Sequence, residues 1–155
     1  MKPGMLVAAL FVIGLFRPAF GETPSAPKPP VGVPADAAHF NGKWYRVYLE
    51  KATYQRARSR CLALGGNLAC VSDKATHEFI QELAKDVPLW LGATDEKAEG
   101  AWVWPDGTEM TFKAWAPKEP QGYRKENYLI IGRGRWHDYS KDEPVSGFIC
   151  EWRPK

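Results

Sequence analysis

The chain has 155 residues, 45% of them apolar and 25% charged, which is enough for one domain with a proper core and too little for two. The formal charge of +3 includes Lys2 and Arg17 in an N-terminal leader; without them nineteen basic residues face eighteen acidic ones, leaving +1. No overall basic surplus remains, so nucleic acid is excluded as the expected partner.

Met1-Lys2 is a short basic start, and Met5 to Phe16 is an apolar run of secretory length, too short to span a bilayer. Ala19 and Gly21 place small residues where a signal peptidase cuts, before Glu22. Residues 1–21 are therefore expected to be a signal peptide. The alternative is an uncleaved anchor, against which Arg17-Pro18 and the small residues beyond argue. The expected location is secreted or extracytoplasmic, without membrane attachment after cleavage. Residues 22–37 carry Pro24, Pro27, Pro29, Pro30 and Pro34 among small residues and read as an extended linker with nothing to bury. The globular part is expected over residues 38–155.

Phe40-Asn41-Gly42-Lys43 is a hairpin signal, with Trp44 to Leu49 as the returning strand. Thr53 is a natural N-cap for a helix running to Leu64, with Gly65-Gly66 as its stop. Tyr54, Ala57, Cys61 and Leu64 share its buried face, so Cys61 points inward. A strand over Asn67–Val71 leads through Ser72-Asp73 to a second helix ending near Lys85. Its apolar face is read as Ala75, Phe79, Ile80 and Leu83. Short β-type runs follow at Leu89–Leu91, Trp102–Trp104, Tyr128–Ile131, Gly134–His137 and Phe148–Trp152. Two helices followed by several short strands give an α+β class, with helices packed on antiparallel sheet. The three cysteines, Cys61, Cys70 and Cys150, permit one internal bridge, and the residues alone allow three pairings.

The segment from Leu89 to Asp138 organises the rest. Carboxylates and amides (Asp95, Glu99, Glu119, Gln121, Glu126, Asn127, Asp138) are strung along a loop pinned by Trp102, Trp104, Trp115 and Trp136. Hard cations such as Ca²⁺ take six to eight oxygen ligands from loops of this kind. His39, His77 and His137 lack zinc-ligand spacing. His137, Asp138 and Ser140 are strand neighbours without the geometry of a triad, and no nucleophile elbow is present, so no enzyme is expected.

Taken together, Leu89-Trp90-Leu91-Gly92, Trp102-x-Trp104-x-Asp106-Gly107-Thr108, Glu119-Pro120, Glu126-Asn127, Trp136-His137-Asp138 and Gly147-Phe148-Ile149-Cys150-Glu151-Trp152 resemble the C-type lectin-like domain family from about Phe40 to Trp152. The resemblance implies that fold, two helices on small antiparallel sheets with a long irregular loop, and a Cys61–Cys150 bridge that leaves Cys70 free. The family's second bridge is missing, since Tyr128 stands where one of its cysteines would. The resemblance also implies a Ca²⁺ site at Glu119, Gln121, Glu126 and Asp138, with His137 at a sugar-contacting position, and a cis peptide before Pro120. Gln121 and His137 depart from the sugar-binding pattern. Gln keeps the amide oxygen on a longer arm, whereas imidazole suits a hard cation poorly. A second cation site is implied at Asp95, Glu99 and Asn127. Tyr123 and Tyr139 are the sugar-stacking candidates on the loop. The expected partner is a glycan bound with Ca²⁺; the alternative is an extracellular protein bound without it.

Overall fold

The computed structural model describes residues 27–122 and 125–153. The signal-peptide segment, the first part of the linker and Tyr123 lie outside the described residues.

Asn41 and Gly42 turn the chain with φ of 47° and 73°, joining β1 (Ala38–Phe40) to β2 (Lys43–Tyr48) as a tight antiparallel hairpin. Just before it, Arg46 Nη2 pairs with Asp36 Oδ2 at 2.9 Å and Ala37 is buried, so residues 36–37 pack on the domain instead of standing free of it. The first helix, α1 (Tyr54–Ala63), starts where the Thr53 hydroxyl accepts the Arg56 N–H. It stops at Gly65, whose φ of 76° lets the chain turn out of the helix. Its buried face is Tyr54, Ala57 and Cys61, as the spacing requires, and Cys61 is bridged to Cys150.

β3 covers only Asn67–Leu68, shorter than the sequence suggests. The reason is a change of partner: Ala69 N–H bonds to Ile149 while its carbonyl accepts from Gly92, and the Cys70 N–H is taken by the Glu151 carboxylate. α2 (Lys74–Ala84) is capped by Asp73, which accepts the Thr76 N–H at 2.7 Å. Its buried face is Thr76, His77, Ile80 and Ala84, rotated from the expected Ala75, Phe79, Ile80 and Leu83. Ala75 is exposed, and Phe79 sits at the rim of the core, stacked on Phe40 at 4.5 Å, while His77 packs edge-on against Trp136. The aromatic mass beneath the helix, not the helix's own apolar content, sets which stripe is buried.

β4 (Leu89–Thr94), β5 (Tyr128–Gly132), β6 (Arg135–Tyr139) and β7 (Gly147–Trp152) complete the sheet. The strand order is β1-β2-β7-β4-β5-β6, with β3 also on β7. The sheet is mixed rather than purely antiparallel, because β4 runs parallel to β7 through Leu89–Gly147 and Trp90–Phe148. Trp102–Trp104 does not become a full strand; Val103 bridges Thr94 on one side and Glu109 on the other. The turn at Arg133-Gly134, with φ of 50° and 69°, delays β6 to Arg135.

The core divides around the sheet. One cluster gathers Trp102, Trp104, Trp136, Leu129, Ile131 and Ile149; the other joins Tyr54, Trp90, Phe148 and the Cys61–Cys150 bridge. Burial of indole rings fixes the long irregular segment: Trp115 meets Trp102 at 5.0 Å and Trp136 at 6.0 Å.

Candidate functional site

β6 is the last strand of the sheet, so one of its edges lacks a strand partner. The long loop covers that edge. Trp136 N–H bonds to the Ala114 carbonyl at 3.0 Å and Ala116 N–H bonds to the Trp136 carbonyl at 2.9 Å. This short parallel attachment carries the loop alongside His137 and Asp138. The Glu119 N–H then closes back on the Ala116 carbonyl, and the Glu119–Pro120 peptide is cis.

Glu119, Gln121, Glu126, His137 and Asp138, which the sequence singles out, line one groove of about 430 Å³. Glu119 Oε1 accepts from Gln121 Nε2 at 3.3 Å and lies 3.2 Å from His137 Nδ1. That imidazole nitrogen donates in the tautomer or charge state that puts its proton there. Asp138 Oδ2 accepts the Gly122 N–H at 3.0 Å. The opposite oxygens are different: Glu119 Oε2, Glu126 Oε2 and Asp138 Oδ1 are buried and have no hydrogen-bond partner among the described residues. Burial pushes the Glu119 carboxyl above its ordinary value, and neighbouring Asp138 pushes it further, against the opposing pull of His137 and Gln121. Burial likewise raises Glu126, with Asp138, Glu119 and Glu143 adding their repulsion.

A cluster of desolvated carboxylates that repel one another is the electrostatic profile of a cation site lacking its counter-charge. The donor set is hard oxygen, suited to Ca²⁺, and Gln121 contributes an amide oxygen on the same wall. As they stand, no three His, Cys, Asp or Glu side chains among the described residues are gathered closely enough to hold a metal ion. Holding one requires the acids to draw in, which the variable coordination of Ca²⁺ tolerates.

Asp95, Glu99 and Asn127 make a different arrangement. Asp95 Oδ1 accepts from Asn127 Nδ2 at 3.1 Å, and Asp95 Oδ2 accepts the Gly100 N–H at 2.8 Å. One oxygen of this buried carboxylate thus closes the Asp95–Gly100 turn and the other ties the turn to Asn127. Glu99 is exposed and lies beside Gly122 instead. Among the described residues, the first set has buried orphaned oxygens and the second has none.

Tyr139 is held with its ring edge-on to Trp90 at 5.9 Å and its hydroxyl donating to Glu143 at 3.1 Å, so it is a wall of the groove more than a free stacking platform. Arg133 of the groove and Gly122 beside it contribute in ways that their residue types do not announce. Arg133 enters through the left-handed turn between β5 and β6, for which the Arg-Gly pair is a weak hairpin signal. Gly122 acts through its backbone N–H, which leaves no side-chain signature.

Comparison with known proteins agrees with this architecture. A family model described as "Lectin C-type domain" matches residues 50–152. The chain is 35% identical over 118 residues to C-type mannose receptor 2 of Homo sapiens, covering 72% of the chain but 8% of that receptor. It is 38% identical over 76 residues to the Type-2 ice-structuring protein of Hemitripterus americanus, covering 48% of the chain and 46% of that protein. Among solved structures, the carbohydrate-recognition domain of the mouse scavenger receptor C-type lectin superposes with a TM-score of 0.73 at 27% identity, covering 79% of the chain and 98% of that domain. The chain thus spans a small part of one relative and under half of the other.

Proposed function

The chain belongs to the C-type lectin domain family, and on that premise we propose that it is a non-enzymatic glycan-recognition domain whose ligand seats in the loop groove with the help of Ca²⁺. The observation that carries this reading is the set of three buried carboxylate oxygens, from Glu119, Glu126 and Asp138, that have no partner among the described residues and share one groove. A bound Ca²⁺ supplies positive charge for those oxygens and coordination sites for vicinal sugar hydroxyls. Glu119, Glu126 and Asp138 carry the negative charge. Gln121 offers an amide that both ligates and donates. His137, held against Glu119, presents its remaining ring nitrogen to a hydroxyl. The carbohydrate-recognition domain that superposes on this chain supports the ligand class. A second cation site at Asp95 is not part of the proposal, because its oxygens are already engaged by the Gly100 N–H and the Asn127 amide. We further propose that the protein acts outside the cytoplasm, supported by the bridged Cys61–Cys150 pair and the apolar leader.

One observation favours a second reading, a calcium-independent domain that docks a protein. Glu119 Oε1 already has two partners within the groove, so part of the acidic wall is self-satisfied. A glycan array probed with the protein in 5 mM Ca²⁺ and again in EDTA (about these concentrations suit a weak extracellular site) separates the readings. Selective binding that EDTA removes, and that Glu126→Gln weakens at least tenfold, supports the proposal. An array without binding in Ca²⁺, or binding indifferent to both EDTA and Glu126→Gln, overturns it.

A further inference from the structure

A second groove of about 530 Å³, with none of the loop-groove acids in its lining, opens between α1 and the start of the long loop. That volume lies within the range of small-ligand sites. Its construction depends on Gly92. A Cβ there would stand 2.6 Å from Pro105 Cγ and 2.9 Å from the Leu68 carbonyl, so only glycine lets the Trp104-Pro105 wall close against β4. The floor holds Tyr54, whose hydroxyl donates to the Gly92 carbonyl at 2.9 Å, and Tyr128.

The charges on the rim are unbalanced. Arg58 from α1 and Lys97 from the acidic turn both line the groove, are exposed, and make no ion pair among the described residues. The lining acid, Glu96, is neutralised by Lys141 at 3.1 Å, and its carboxyl is held below the usual value by the Tyr128 hydroxyl and by that lysine. The groove thus presents two free cations beside an apolar wall of exposed Pro105 and half-buried Val103, with Tyr54, Trp104 and Tyr128 buried beneath. Gln55, Ser59 and Thr94 add side chains that hydrogen-bond hydroxyl groups. Free cations for an anion, a small apolar wall at Val103 and Pro105 and scattered amide and hydroxyl groups match an anionic sugar. A neutral glycan leaves both cations unused, and an apolar peptide leaves them desolvated.

We propose that this groove is a second saccharide site, independent of divalent cation, that takes an acidic sugar unit, sulfated or carboxylated, between Arg58 and Lys97. It does not rest on the reading of the loop groove, which lacks both residues.

The test uses the folded domain in EDTA, titrated by calorimetry with three tetrasaccharides: a heparin fragment bearing sulfate and carboxylate, a hyaluronan fragment bearing carboxylate alone, and neutral mannotetraose. Wild-type protein is expected to bind at least one acidic fragment at least tenfold more tightly than mannotetraose, and the hyaluronan arm tells whether sulfate is required. Arg58→Glu with Lys97→Glu should reduce that affinity tenfold or more while leaving the melting temperature unchanged, both side chains being exposed. Arg56→Glu with Arg60→Glu, on the opposite flank of α1, is expected to stay within twofold of wild type. Glu119→Gln with Glu126→Gln should also leave it unchanged. The proposal is overturned by equal binding of neutral and acidic fragments, by no binding of either, by a twofold or smaller effect at Arg58 and Lys97, or by an equal loss from the opposite flank.

Discussion

Three carboxylate oxygens decide the chemistry of the loop groove, and the titration of the two glutamates among them is its most accessible signature. Glu119 and Glu126 are both raised above the ordinary glutamate value of 4.5. The folded domain therefore holds their protons more tightly than the unfolded chain. In the absence of calcium, the stability owed to these two groups is full below pH 4.5 and is lost as the pH rises through their higher folded values. A cation competes with the same protons, so calcium affinity should run the other way and weaken as the pH falls through that window. Melting curves from pH 4 to pH 8 (roughly the span over which such carboxyls titrate), with and without calcium, are expected to converge at the acidic end. Glu126→Gln should raise the calcium-free melting temperature at neutral pH by a few degrees, of order 0.5–1 kcal/mol, and flatten its pH dependence. An unchanged or lower melting temperature contradicts the assignment of Glu126 as a source of repulsion. At this scale the sequence is legible only through resemblance. Glu119, Glu126 and Asp138 are separated by loop and strand, and nothing in their local spacing says that they meet.

Individual elements read more directly. The Asn41-Gly42 turn and the Thr53 cap follow from local conformational preference and stand where the residues place them, and Asp73, at the junction before the second helix, caps it in the same way. The two caps are not equal. Asp73 accepts from Thr76 N–H at 2.7 Å and from the Thr76 hydroxyl at 3.0 Å, whereas Thr53 accepts from Arg56 at 3.5 Å. Asp73→Ala should cost about 1–2 kcal/mol and Thr53→Ala about 0.5 kcal/mol in urea unfolding; the reverse order contradicts the geometry. Gly92→Ala should cost about 1–3 kcal/mol, because the new methyl meets Pro105 and the Leu68 backbone. What local pattern cannot supply is the environment on the far side of an element. The buried stripe of α2 is shifted toward His77 because Trp136, more than fifty residues away, lies beneath it. β3 ends early because Ala69 changes partners between β7 and β4. Both depend on long-range packing to which periodicity is blind.

For the whole molecule, net charge is a poor guide to local charge. A formal charge of only +3 conceals an acidic loop groove and a separate groove with Arg58 and Lys97 on its rim. The fold class is legible because many apolar and turn residues agree on one arrangement, and the Cys61–Cys150 bridge ties α1 to β7 across a separation of 89 residues. Cys70 is buried beside Glu151, and burial pushes its thiol well above the usual range. Thiol titration of denatured, unreduced protein should find this one cysteine, and the native protein should label at least a hundredfold more slowly. Rapid native labelling or three reactive thiols contradicts the bridge and the burial. The central claim concerns the loop groove and is tested most directly by calorimetric titration of the domain with Ca²⁺ at neutral pH. Binding with a Kd of about 10⁻⁴ to 10⁻³ M, abolished in the Glu119→Gln, Glu126→Gln, Asp138→Asn variant, is the result expected. A folded wild-type domain that takes up no calcium, or a triple variant that binds it as tightly, contradicts the account.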